Sequence, residues 1–190
     1  MAGVFQARPE SFVTTAAVLV NRAPVLTLWA AIVAERLGHP RATALTLGKA
    51  VAGLNAQSKG RRLGLFEVPT PERRALKGKR AEAAPPETIP LLGRAVPVIR
   101  TADGLRAAVK DRPESPATVE RYLAQKFGPA LPEVEGALRD LARAYPPKRL
   151  AAIGFALYEE FRPQIPEGVK GWGAKGRLDL ARIRALAERG

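Results

Sequence analysis

The sequence predicts a mainly α fold, a helical bundle-like core of about eight helices with one small β-hairpin. Two observations carry this. Apolar residues recur at helical spacing in segments opened by proline and closed by glycine, and one pair of short Ile/Leu/Val runs flanks a glycine. With 190 residues and a hydrophobic fraction of 46%, the chain is long enough for one substantial core and too short for two full-sized domains. No repeat of fixed period is visible.

Ser11 caps a first helix through "FVTTAAVLVNR", whose apolar residues are continuous enough for burial on several sides. Pro24 opens the second, "VLTLWAAIVAERL", with Val25, Leu28, Trp29, Ile32 and Val33 at helical spacing and Gly38 to end it. The third places Ala44, Leu47, Val51 and Leu54 on one stripe and ends at Gly60. Glycine inside a helix costs about 1 kcal/mol relative to alanine, so Gly48 and Gly53 mark close approach of a neighbouring helix.

The pattern changes at "TIPLLGRAVPVIRT", where Gly93-Arg94 reads as the two-residue turn of a hairpin. Pro90 and Pro97 lack an N–H and restrict both strands to edges. Asp103-Gly104 turns the chain into a short helix at "LRAAVK". Ser115 and Pro116 open "ATVERYLAQKF", with Val119, Tyr122, Leu123 and Phe127 inward and Gly128 closing. Helices follow at "EVEGALRDLARAY" and at "KRLAAIGFALYEEF", the latter begun by Pro147, and Asp179 caps the last, "LARIRALAER". Residues 1–64 form an N-terminal helical region, 65–88 a basic Pro/Gly-rich loop, 89–112 the hairpin and short helix, and 113–190 a C-terminal helical region forming one domain with the first.

The side-chain inventory is short. There is no cysteine, which removes disulfides, thiolate nucleophiles and sulfur-ligated zinc. The single histidine, His39 in "LGHPR", reads as a turn residue. The carboxylates Glu133, Glu135, Glu159 and Glu160 read as solvated surface. No set of base, nucleophile and oxyanion donors can be assembled, so the expectation is a non-enzymatic protein without cofactor or metal. The runs between charges at Glu10, Arg22 and Glu35 are too short to cross a bilayer, and no signal-peptide pattern opens the chain, so the expected location is the cytoplasm with no membrane partner. Scarce Met and absent Cys beside abundant Arg, Pro and Ala resemble a thermophile's usage, a bias that high genomic GC also produces.

Charge is the informative feature. The net charge is +13, and residues 59–80 alone hold eight Lys/Arg against two acids. Such a surface attracts polyanions, and each phosphate contact releases condensed counterions. Lys59, Arg61, Arg62, Arg73, Arg74, Lys77, Lys79 and Arg80 lie in this segment, which Gly60, Gly64, Pro69, Pro71 and Gly78 keep from forming a long helix. A solvated linker has the same composition.

"GVKGWGAKGRLDL" contains Gly171, Gly173 and Gly176 in the order G-x-G-x-x-G. A dinucleotide cradle needs a strand before it and a ribose-binding acid about 20 residues after it, and neither is present. The stretch reads instead as a tight turn that docks Trp172 on the helical body; the rival role is stacking of Trp172 on a base.

Residues 30–49, "AAIVAERLGHPRATALTLGK", resemble the helix-turn-helix of bacterial DNA-binding proteins, with Ala34 and Gly38 at the small-residue and turn-glycine positions and Ala44 and Leu47 inward. The resemblance covers about 20 residues and implies that Arg41, Thr46 and Lys49 face bases or phosphates. His39, Pro40, Ala42 and Leu45 depart from the pattern, and an ordinary αα-hairpin has the same spacing. The functional expectation is a nucleic-acid-binding protein, DNA before RNA, contacting phosphates through Arg41, Lys49 and the basic loop. The alternative is a helical scaffold or protein-interaction domain whose basic loop meets an acidic protein surface or nothing.

Overall fold

Proline and glycine set the limits of the principal helices in the computed structural model, which describes residues 18–64, 86–169, 171 and 173–190. The first helix, α1 (Arg22–Arg36), has Pro24 in its first turn and stops before Gly38, whose φ of +98° favours glycine. Every residue from Pro24 to Ala34 is buried, so α1 is the axis of the core. Its indole at Trp29 is wholly enclosed, donates from Nε1 to the Gly154 carbonyl at 2.8 Å and meets the Phe161 ring edge-on at 5.4 Å. The second helix, α2 (Arg41–Arg62), returns along α1 after the four-residue turn and runs two residues past Gly60.

Gly48 is where these two helices touch. A Cβ there would run into the Thr27 carbonyl oxygen and lie 2.8 Å from the Ala31 nitrogen, so only glycine permits this spacing. Gly53, expected to mark a second such approach, is exposed with nothing within 4 Å of a Cβ built on it.

The fold differs from an eight-helix bundle with one hairpin. The segment expected as a first helix contains strand β1 (Val18–Val20), which pairs antiparallel with a strand near the C-terminus, Gly176–Leu178, and the chain expected as a hairpin followed by a short helix is a four-stranded antiparallel meander. The meander comprises β2 (Thr88–Leu91), β3 (Arg94–Thr101), β4 (Gly104–Val109) and β5 (Arg112–Pro113), in that order. Its first turn is Leu92-Gly93, not Gly93-Arg94, and both residues have positive φ, as a type I′ turn requires. Pro97 lies in an interior strand without breaking it, because β2 pairs with Arg94–Pro97 and β4 takes over from Val98 to Thr101.

The "LRAAVK" segment, expected as a helix, supplies most of β4. Its helix-forming residues are overridden by pairing with β3 and by polar contacts to α2. Thr43 Oγ1 donates to the Leu105 carbonyl at 2.8 Å, and the Ala107 amide donates to Thr46 Oγ1 at 3.0 Å. Arg106 is buried beside them and donates to the carbonyls of Asp103 and Leu105.

The C-terminal helices follow the sequence reading closely. They are α3 (Pro116–Phe127), α4 (Leu131–Ala144), α5 (Pro147–Phe161) and α6 (Leu180–Ala187), with strand β6 (Gly176–Leu178) ahead of the last. Pro116 occupies the first turn of α3, but the Ser115 side chain makes no capping bond. Asp179 caps α6 as expected, accepting from the amides of Ala181 and Arg182. Gly176, third in the G-x-G-x-x-G run, packs against the strand-like Gln164, whose carbonyl oxygen would lie 2.6 Å from a Cβ there. Trp172 lies outside the described residues, as do Ser11 and the segment from 65 to 85. Among the described residues no helix is long and apolar enough to cross a membrane.

Candidate nucleic-acid interface

Five of the ten cations singled out by sequence lie among the described residues, and they fall into three groups. Arg41 is the first residue of α2 and is held by carboxylates: its Nη1 lies 3.2 Å from Glu35 and 3.0 Å from Glu135, and its Nε 3.6 Å from Glu120. Arg139 completes the cluster, reaching Glu35 at 2.8 Å and Glu135 at 2.9 Å. Burial would raise the Glu135 carboxyl, but hydrogen bonds from Arg139 and Arg41 outweigh it and hold the group below the usual glutamate range. The cluster draws α1, α2, α3 and α4 together. Glu135, expected as solvated surface, is therefore the centre of an interhelical ion network.

Lys49 is engaged differently. Its Nζ stands 3.5 Å above the centroid of the Tyr122 ring on α3, and Lys126 approaches the same ring at 6.0 Å. Burial lowers the Lys49 ammonium below the usual lysine range, against the opposing pull of Glu114, while burial raises Tyr122.

The reading face implied by the helix-turn-helix resemblance is inside the protein. Leu45 is 1% exposed and Thr46 is 0% exposed, because the meander covers the first half of α2. Thr46, expected towards bases, donates to the Thr43 carbonyl and accepts from the Ala107 amide. The α1–α2 pair is an ordinary packed hairpin.

The third group lies at the far end of α2. Lys59, Arg61 and Arg62 occupy its last turn and are exposed, in the position where cations offset the negative end of the helix dipole. Twenty residues separate Arg41 from Arg61, a distance of about 30 Å along a helix, so these two cannot serve one phosphate. Arg73, Arg74, Lys77, Lys79 and Arg80 lie outside the described residues.

Sequence reading did not single out one further cation at this helix end. Arg94, the first residue of β3, donates from Nη2 to Asn55 Oδ1 on α2 at 3.2 Å. It lines one groove of about 410 Å³ together with Leu54, Gln57, Ser58, Arg61 and Arg62. In sequence Arg94 follows a turn glycine 32 positions after Arg62, and only the docking of the meander on α2 joins them. Arg61, Arg62 and Arg94 thus line one open groove together with Ser58 and Gln57, side chains whose chemistry suits phosphate oxygens.

No protein-family model, curated protein or solved structure matches the chain.

Proposed function

We propose that this protein binds nucleic acid, duplex DNA in the first instance, without catalysing a reaction, and that it does so by phosphate contacts at the C-terminal end of α2. The observation carrying the proposal is the shared groove of Arg61, Arg62 and Arg94. The net charge of +13 and its concentration in residues 59–80 add long-range attraction for a polyanion. Lys59 and the loop cations Arg73, Arg74, Lys77, Lys79 and Arg80 extend the contact in this proposal, while Arg41 and Lys49 serve chiefly to hold helices together. Such contacts fix position along a backbone and carry little base readout.

The test is titration of labelled duplexes of unrelated sequence at several salt concentrations. The proposal expects similar affinity for each sequence and a steep linear fall of log K with log salt, about 0.9 per phosphate neutralised. Affinity absent at physiological salt returns the protein to the scaffold reading, in which the basic loop meets an acidic protein surface or nothing.

A further inference from the structure

We infer that the groove between α2 and β3 is a site for a phosphomonoester, the doubly charged group found at the end of a nucleic-acid strand and on a free nucleotide. The strand-end form of this inference rests on the nucleic-acid proposal, and the free-nucleotide form does not.

Charge balance is the first argument. A phosphodiester carries a single negative charge, whereas a phosphomonoester carries about −1.5 to −2 near neutral pH and offers three terminal oxygens. Arg61, Arg62 and Arg94 bring three cations to one recess whose lining, among the described residues, contains no carboxylate. A single diester would leave most of that charge unmatched, so a duplex backbone would have to bring more than one phosphate to these arginines. A monoester has the charge and the oxygens to engage more than one guanidinium fork.

Size and orientation point the same way. At about 410 Å³ the groove lies near the lower end of the roughly 300–1,000 Å³ typical of small-ligand pockets, which is room for one phosphate and its attached sugar. The Arg94 guanidinium is already oriented by Asn55, so less side-chain freedom is lost when phosphate binds. Gln57 and Ser58 add neutral donors beside the cations, and Leu54 gives the attached sugar an apolar wall. Asn55 acts here as a positioning residue.

The experiment compares one oligonucleotide duplex carrying a 5′-phosphate, a 3′-phosphate or only hydroxyl ends, each titrated by anisotropy with the full chain. Nucleoside monophosphate and the matching nucleoside are titrated separately. The inference expects a phosphorylated end to bind about tenfold tighter than the hydroxyl end. Arg94→Ala should abolish the preference, Asn55→Ala should weaken it, and Arg94→Lys, which keeps the charge but loses the fork, should fall between them; thermal unfolding checks that each variant is folded. Equal affinity for all ends, with steep salt dependence, overturns the inference and leaves the nucleic-acid proposal standing. Arg94-dependent binding of the monophosphate, with no binding of any duplex, supports the site and overturns that proposal. Absence of all binding overturns both.

Discussion

Arg41 and Glu135 meet at 3.0 Å, joining the first turn of α2 to the first half of α4. This contact gives Arg41 a structural task. A cation that neutralises Glu35, Glu120 and Glu135 contributes little net field to an approaching polyanion.

Arg41→Ala should therefore reduce stability while leaving duplex affinity unchanged. Because Arg41 is about half exposed, the loss is on the order of 1 kcal/mol after discounting for solvent screening. Chemical denaturation and anisotropy titration of the same preparation check both halves of this outcome.

Glu135 gives the network a pH signature. Its carboxyl is held below the ordinary value, so its contribution is fully present above about pH 4.3 and is lost as pH falls through the folded-state value. Stability measured from pH 6 down to pH 3 should drop less steeply in Glu135→Gln than in the parent, from a lower starting level.

Gly48 and Gly53 of α2 should respond in opposite directions. Gly48→Ala drives a methyl into the backbone at Thr27 and Ala31 and should cost about 3 kcal/mol or more. Gly53→Ala places its methyl in open space on an exposed helix and should stabilise by up to about 1 kcal/mol. Denaturant midpoints of the two variants decide the point.

Tyr158 donates its hydroxyl to the Arg22 carbonyl at 3.2 Å, and burial pushes its ionisation up to about 12. A group raised in the folded state adds stability that is whole below the unfolded value of about 10 and is lost as pH rises through the folded one. Tyr158→Phe should flatten the alkaline limb of the stability profile between pH 10 and 12. Phenolate absorbance should show one of the three tyrosines ionising last.

Much of the helical scaffold was legible in the sequence because its signals are local. Pro24, Gly38, Pro116, Gly128, Pro147 and Asp179 act within a turn of themselves, and limits of α1, α3, α5 and α6 follow from them. Beyond the β2–β3 hairpin the strands were not legible, for the converse reason. Val18–Val20 reads as apolar helix until Gly176–Leu178, more than 150 residues later, supplies its ladder. Leu105–Val109 has helix-forming residues and becomes a strand through β3 and the hydroxyls of Thr43 and Thr46. The same blindness governs the candidate site: Arg61 and Arg62 announce themselves as a basic cluster, whereas Arg94 looks like one more turn-flanking cation. Conversely, Arg41 and Lys49 look free in sequence, and their partners Glu135 and Tyr122 come from helices far along the chain.

The most direct test of the central claim is the salt dependence of duplex binding by the parent protein and by a variant carrying Arg61→Ala, Arg62→Ala and Arg94→Ala together. If these side chains meet phosphates, the variant should bind more weakly at low salt, and its log–log slope should be shallower by about 2–3 units. A folded triple variant with the parent's affinity and slope would contradict the assignment of the α2–β3 groove as the nucleic-acid contact.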